Sequence, residues 1–235
     1  MANKEKLSSN RKGTIINAKS KKEDKMCIKV KNQLLLDLEK KLKCKLKWEK
    51  KILLVDIIAD LKDKHRDIDF SDLETEKSFM SPDGGITYML DKFNNLYPIL
   101  IYEVKNQGTN DEILKKGGKK QAKGNAVERL GKNVIGFRAY MLSESIFPFV
   151  CFGDGCDFEK GSSILDRVRT IAMFGKLNKD YTFNLGTNGI FNRGSYYFRN
   201  KKWTFTEMYN ILYSVAERSI YYYFGKYGKE NFIFD

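Results

Sequence analysis

Two carboxylates and a lysine near the middle of the chain have the types and spacing for phosphodiester chemistry. Asp83 lies in Ser81–Gly85, and Glu103 and Lys105 lie in the run Ile101–Lys105. Alternation along a strand puts Glu103 and Lys105 on one face. If the two segments pair as a hairpin, Asp83 comes near Glu103. Two converging carboxylates suit a hard cation such as Mg²⁺, and a neighbouring lysine can orient a water molecule and stabilise charge on a phosphate.

The same residues have a plainer interpretation. An Asp-Gly-Gly sequence is most often a turn, and an acid-x-Lys pair on a strand is most often a solvated face. The composition favours the chemical interpretation, because the chain has a single histidine and four cysteines at irregular spacing. Zinc sites and histidine-dependent nucleophiles are therefore disfavoured. We expect His65 to be a solvated surface residue and the cysteines to be reduced structural thiols.

The charge of the chain is strongly positive and unevenly placed. The formal net charge is +13, and residues 1–51 carry 17 Lys and Arg against 6 Asp and Glu, a net of +11. Such a bias is typical of a solvated tail or of an arm that neutralises DNA phosphates. We predict a basic, partly disordered arm over residues 1–28 and a single domain over residues 29–235. No apolar run reaches a membrane span and no signal peptide is evident, so we expect a cytoplasmic protein.

The elements that must position the three residues follow from hydrophobic periodicity. Apolar residues at three- and four-residue spacing predict helices over Val30–Trp48 and Ile52–Leu61. Short runs rich in β-branched and aromatic residues predict strands over Ile86–Leu90 and Ile99–Val104. A long helix is predicted over Lys119–Leu142, and the glycines at 117, 118 and 124 indicate that it begins near Gly124; a buried strand is predicted over 147–152. The order strand, strand, helix, strand predicts an α/β sheet.

Four segments, in this order, resemble the corresponding segments of the EcoRI-like type II restriction endonucleases of the PD-(D/E)xK nuclease superfamily: Ser81–Gly85, Glu103–Gly108, Gly124–Arg129 and Met141–Val150. The first two carry the loose superfamily signature. The motifs Gly-Asn-Ala-x-Glu-Arg and Met-Leu-Ser-Glu-Ser-x-Phe-Pro are more specific. The resemblance implies a restriction-endonuclease-like core, with a central mixed β-sheet flanked by helices.

The resemblance also implies an activity. It implies a homodimeric, Mg²⁺-dependent type II restriction endonuclease, with Mn²⁺ as a substitute metal, that cuts both strands of a palindromic DNA site and leaves 5′-phosphate ends. By analogy, Asp83 and Glu103 are metal ligands and Lys105 is the catalytic lysine. A two-fold symmetric dimer presents one active site to each strand of such a site. A cognate DNA adenine methyltransferase would protect the host's own DNA.

Sequence recognition is expected at the start of the long helix. Asparagine suits bidentate contact with adenine, alanine can touch a thymine methyl group, and arginine reads guanine. We therefore predict an AATT core, within GAATTC or a degenerate RAATTY site. The predicted recognition residues are Gly124, Asn125, Ala126, Glu128, Arg129, Arg167, Arg169 and Gln107, with Arg193 as an alternative reader of the outer base pair.

Two other functions stay open at this point. One is a catalytically silent, sequence-specific DNA-binding protein on a nuclease fold, although Asp83, Glu103 and Lys105 are all present. The other is a PD-(D/E)xK repair nuclease that acts on DNA structure, against which the Gly124–Arg129 motif weighs.

Overall fold

A computed structural model of the chain describes residues 15–70, 77–106, 114–115, 117–119 and 125–233. The helices of eight or more residues in these ranges are α1 (Ile15–Leu42), α2 (Leu54–Lys64), α3 (Asn125–Tyr140), α4 (Ser163–Ile171) and, after the short α5 (Asn188–Phe191), α6 (Phe205–Tyr227). The strands are β1 (Lys45–Glu49), β2 (Ile52–Leu53), β3 (Phe79–Met80), β4 (Ile86–Leu90), β5 (Leu96–Asn106), β6 (Phe149–Asp154) and β7 (Ser195–Arg199).

The central sheet is mixed. Its strand order is β1-β4-β5-β6-β7, while β2 and β3 form a separate two-stranded ribbon. β1, β4 and β5 are antiparallel neighbours, and β5, β6 and β7 run parallel. Parallel neighbours need a long crossover, which α3 supplies between β5 and β6. The predicted order strand, strand, helix, strand is confirmed as β4, β5, α3 and β6.

Helices cover both faces of the sheet. The hydroxyl of Tyr102 on β5 donates to the carbonyl of Cys27 in α1, at 2.8 Å. The next residue, Glu103, accepts a hydrogen bond from Asn133 in α3, at 2.9 Å. Because successive residues of a strand point to opposite faces, α1 and α3 lie on opposite sides of β5. This arrangement places the carboxylate of Glu103 on the α3 side, as the alternation of the sequence predicts.

The predicted helix over Val30–Trp48 is correct only in its first part. Val30, Leu34 and Leu38 are buried as the spacing requires, but α1 ends at Leu42 and the following residues form β1. Lys43 adopts a φ of 55°, in the left-handed region that ends a helix. Beyond it the exposed residues Lys45 and Lys47 alternate with less exposed apolar ones. That period of two belongs to a strand, and it resembles helical spacing only over the last few residues.

The second predicted helix starts two residues late in the structure, because Ile52 and Leu53 pair with β3 before α2 begins. His65, just after α2, also differs from the prediction of a solvated residue. Its Nε2 lies 2.9 Å from the Ser143 hydroxyl oxygen, and the side chain is partly buried. All four cysteines are free thiols, as predicted, and all four are buried.

The predicted arm and domain cannot be separated at residue 28 by secondary structure, since α1 runs from Ile15 across that position. Cys27 is buried beside the core, at 6% exposure. The division into arm and domain stays a prediction. Within the described ranges, no helix has both the length and the apolar character that a membrane span requires.

The start of α6 is closed by a capping box. The amide of Glu207 donates to the Thr204 hydroxyl, and the Glu207 carboxylate accepts from the Thr204 amide at 3.0 Å. Arg199 also donates to that carboxylate, and these bonds lower the pKa of Glu207 to about 2. The Glu207 carboxylate therefore stays ionised well into the acid range.

We expect Thr204→Ala to lower the free energy of unfolding by about 1 kcal/mol, because the first turn of α6 loses its cap. The matched control is Thr206→Ala, which makes the same chemical change at an exposed position inside the helix. It should leave stability within about 0.5 kcal/mol of the wild type. Urea unfolding measures both variants, and equal losses would show that the cap is not the source of the effect.

Candidate active site

The three residues predicted to do chemistry lie together at one edge of the β4–β5 hairpin. Asp83 is in the turn before β4, and Glu103 and Lys105 are on β5. The Lys105 ammonium lies 3.4 Å from Asp83 Oδ2 and in direct contact with Glu103 Oε1. The Lys105 ammonium therefore lies next to both carboxylates, which are separated by nineteen residues in the sequence.

Their exposure differs in a way that bears on chemistry. The side chain of Glu103 is 2% exposed and that of Lys105 is 13% exposed, whereas that of Asp83 is 48% exposed. Burial raises the pKa of Glu103, although the neighbouring Lys105 and the Asn133 amide oppose the shift. Burial would lower the pKa of Lys105, but the charges of Glu103 and Asp83 outweigh it and the pKa is raised. Lys105 is therefore charged at neutral pH.

The donor set fits a small oxygen-ligated cation. A buried carboxylate is stable as an anion only beside positive charge; Lys105 supplies that charge to Glu103, and Asp83 approaches the same ammonium from the solvent edge. The described residues contain no group of three or more His, Cys, Asp or Glu side chains arranged to hold a metal ion. Two carboxylates are nonetheless enough for Mg²⁺, which usually keeps several of its waters and binds through one or two such groups.

Asn133 is a member of this site that the sequence analysis missed. Its side-chain amide donates to Glu103 Oε2 at 2.9 Å, so that Oε1 is the oxygen turned toward Lys105. A signal was present in the helix pattern. Asn133 falls three residues after the buried Leu130 and four before the buried Phe137, where helical spacing calls for an apolar side chain.

The turn that carries Asp83 is tightly enclosed. A Cβ atom built on Gly84 would lie 2.1 Å from the ring of Tyr102, which is 1% exposed and is held by its bond to Cys27. Such an approach is far inside van der Waals contact, so either the turn or the ring has to move. Only glycine leaves room for the turn at this place.

We expect Gly84→Ala to destabilise the fold by about 1–3 kcal/mol, the usual cost of forcing an extra group into a packed site. We also expect it to reduce metal-dependent DNA cleavage, since Asp83 shifts to the extent that the turn gives way. Gly225→Ala is the control, because that helical glycine of α6 has open space around its Cβ position. The control should be as stable as the wild type or up to about 1 kcal/mol more stable. Normal stability and cleavage in Gly84→Ala would contradict the expectation.

The predicted recognition residues are only partly within the described ranges. α3 begins at Asn125, which agrees with the predicted start near Gly124. Gly124 and Gln107 lie outside the described residues, and so do the side chains of Asn125, Ala126 and Glu128. Arg129 is exposed in the first turns of α3.

The candidate readers of the outer base pair lie farther along the chain. Arg167 and Arg169 are exposed on α4, where Arg169 pairs with Asp166 at 3.4 Å. Arg193 instead donates to the carbonyls of Ile190 and Asn192, at 2.9 and 3.0 Å. Two nearby backbone carbonyls thus bind the guanidinium of Arg193, whereas the side chains of Arg167 and Arg169 are exposed on the surface of α4.

Comparisons with known proteins identify the family of this chain. The family profile described as restriction endonuclease EcoRI matches residues 9–230. The type II restriction enzyme RsrI of Cereibacter sphaeroides is 32% identical over 181 residues, which cover 63% of this chain and 65% of RsrI. The type II restriction enzyme EcoRI of Escherichia coli is 28% identical over 187 residues, which cover 63% of this chain and 66% of EcoRI.

Each of these alignments spans just under two thirds of the relative's own length. The family profile covers nearly the whole chain, and the mixed five-stranded sheet flanked by helices has the architecture expected of a restriction-endonuclease-like fold. This chain therefore belongs to the EcoRI restriction endonuclease family.

Proposed function

We propose that the protein is a Mg²⁺-dependent type II restriction endonuclease, which hydrolyses both strands of double-stranded DNA at a palindromic site with an AATT core. The observation that carries the proposal is the convergence of Asp83, Glu103 and Lys105 at one sheet edge. The similarity to RsrI and EcoRI, both type II restriction enzymes, supports it.

In the proposed reaction, Asp83 and Glu103 hold the metal ion and Lys105 acts on the phosphate. Mg²⁺ held there would supply positive charge near the phosphate and would make a water molecule easier to deprotonate. Lys105 is charged, so it stabilises the negative charge that develops on the phosphate and orients the attacking water. The water oxygen loses a proton to solvent as it bonds to phosphorus, the bond from phosphorus to O3′ breaks, and O3′ takes up a proton from solvent, so the products are a 5′-phosphate and a 3′-hydroxyl.

Exposure supports this division of roles. Asp83 is nearly half exposed, so a metal ion held by its carboxylate would be open to a substrate phosphate that approaches from solvent. Glu103 is buried and bonded to Asn133, so its position is held before substrate arrives. A preorganised ligand costs no rearrangement when the reaction begins.

For recognition we propose the beginning of α3 and the surface of α4. Asn125, Ala126 and Arg129 would read the AATT core, assisted by Gly124, Glu128 and Gln107. Arg167 and Arg169 would read the outer base pair, giving GAATTC or RAATTY. Both α4 arginines are exposed, and α4 packs beside α3, where a Cβ on Gly131 would lie 3.6 Å from Ile171.

We propose that the active form is a homodimer and that a DNA adenine methyltransferase protects the same site. A palindrome has two-fold symmetry, and a two-fold dimer brings one active site to each strand. A sedimentation measurement on the purified chain, with and without DNA, tests the dimer.

The direct test of the function is digestion of sequenced plasmid or phage DNA in Mg²⁺, followed by mapping of the fragment ends. Ends at one palindrome containing AATT would establish the reaction and identify the outer bases. A smear would instead favour a nuclease directed by structure. DNA left intact in both Mg²⁺ and Mn²⁺ would favour a DNA-binding protein without catalysis, which the presence of Asp83, Glu103 and Lys105 argues against.

A further inference from the structure

The turn that carries Asp83 is held by hydrogen bonds to both polar groups of the next residue. The amide of Gly84 donates to the carbonyl of Tyr102 at 3.0 Å. The indole N–H of Trp48 donates to the carbonyl of Gly84 at 2.9 Å. Gly84 is buried, whereas the Asp83 side chain is 48% exposed. The exposed carboxylate is thus carried by a fixed backbone.

Trp48 also lies against the turn, and like Tyr102 it contacts α1. A Cβ atom on Gly85, which has a φ of +78°, would lie 2.4 Å from the indole nitrogen of Trp48. Two aromatic side chains therefore lie against the turn: Tyr102 from β5, the strand that carries Glu103 and Lys105, and Trp48 from β1.

Trp48 is itself held by the N-terminal part of the fold. It pairs with Thr87 in the register of β1 and β4. The ammonium of Lys31 in α1 lies 4.3 Å from the centroid of the Trp48 rings, a distance typical of cation–π attraction. Both α1 and β1 therefore help to set the position of the indole, and through it that of the turn.

We propose that Trp48 is a positioning residue of the metal site: its indole N–H holds the Gly84 carbonyl and so fixes the carboxylate of Asp83 relative to Glu103 and Lys105. This inference rests on the proposed function, since it gives Asp83 the role of metal ligand. It goes beyond that function because it makes β1, a strand that carries no proposed ligand, part of the site.

The test is Trp48→Phe in the full chain, which keeps an aromatic ring and removes the N–H donor. Loss of one hydrogen bond that orients a ligand is expected to raise the half-saturating Mg²⁺ concentration about 3- to 10-fold. The cleavage rate at saturating Mg²⁺ should fall less than the metal affinity does. Direct Mn²⁺ binding, followed by the electron paramagnetic resonance signal of free Mn²⁺, gives a readout that does not depend on cleavage, and it should weaken by the same factor.

Tyr223→Phe is the matched control. Tyr223 donates its hydroxyl to the carbonyl of Pro98 at 3.1 Å, near the opposite end of the strand that carries Glu103. The substitution also removes one donor to a backbone carbonyl and also keeps an aromatic ring. A merely structural loss should be equal in the two variants, whereas only Trp48→Phe should change the Mg²⁺ requirement.

A second measurement does not need the Trp48→Phe variant to fold. The chain has two tryptophans, and Trp203 makes the same kind of bond, from its indole N–H to the carbonyl of Gly153 at 3.1 Å. With 5-fluorotryptophan incorporated, each gives one ¹⁹F resonance, and Trp203→Phe assigns them. Addition of Mg²⁺ should shift the Trp48 resonance and leave that of Trp203 nearly unchanged.

The outcomes separate this inference from the proposed function. If the wild type neither binds Mn²⁺ nor cuts DNA, the proposed function fails and the inference with it. If the wild type does both and Trp48→Phe has the same metal affinity, the inference alone is wrong. If Trp48→Phe fails to fold, an unshifted Trp48 resonance in the wild type overturns the inference and a shifted one supports it.

Discussion

Replacing Asp83 with alanine is expected to lower the rate of DNA cleavage at least about 100- to 1,000-fold, the usual cost of removing a group that stabilises charge in the transition state. Specific DNA binding and folding should largely persist, because the Asp83 side chain is nearly half exposed and because Lys105 keeps its ion pair with Glu103 when Asp83 is removed. Single-turnover cleavage in Mg²⁺ measures the first effect. Fluorescence anisotropy with a labelled duplex, without Mg²⁺, measures the second.

Lys105→Ala should lower cleavage to a similar extent but cost more stability. It leaves the carboxylate of Glu103, 2% exposed, with Asn133 and without its cation. Removing one partner of a buried ion pair costs roughly 3–5 kcal/mol. Urea unfolding should therefore rank Lys105→Ala below Asp83→Ala in stability. A Lys105→Ala protein that cleaves DNA at the wild-type rate would remove the lysine from the proposed mechanism.

Asn125→Ala is expected to weaken discrimination between the proposed site and a site altered at one A·T pair by about 1–3 kcal/mol, which is roughly 5- to 150-fold. Asn125 is the first residue of α3, and an asparagine can make two hydrogen bonds to adenine that alanine cannot make. The measurement is competition binding with duplexes that differ at one position of the AATT core.

Lys132→Ala on the same helix is the control for that experiment. Lys132 is exposed, and loss of a lysine that contacts only phosphates weakens binding to all sequences about equally. The two variants should therefore differ in specificity rather than in affinity alone. Uniform weakening in Asn125→Ala as well would place Asn125 on the backbone of the DNA and not on its bases.

Local patterns were enough to predict the centre of the fold. The strands around Ile86–Leu90 and Ile99–Val104 lie within β4 and β5. The long helix begins at Asn125, one residue after the start that the glycines indicate and not at Lys119. The proximity of Asp83, Glu103 and Lys105 was predictable for the same reason. Glu103 and Lys105 are two residues apart on one strand, and Asp83 follows from the pairing of adjacent strands, so no distant contact is needed.

The N-terminal part of the fold was harder to predict because its residues satisfy two periods at once. Leu38, Leu42 and Leu46 continue a helical spacing, while Cys44, Leu46 and Trp48 also alternate with lysines. Residues 45–49 form a strand because they pair with the edge of β4 that faces away from β5. That pairing partner lies some forty residues away, and a local window does not contain it.

The sequence by itself determined the chemistry available to this protein: a basic chain with one histidine, two carboxylates and a lysine at the spacing of a hairpin, and the motifs of the EcoRI restriction endonuclease family. Tertiary structure alone decided what surrounds that chemistry. Asn133 reaches Glu103 from α3 and Trp48 reaches Gly84 from β1 because sheet pairing and helix packing bring distant segments together. Residue types and local spacing specify which groups can react, whereas their orientation depends on contacts between segments far apart in the chain.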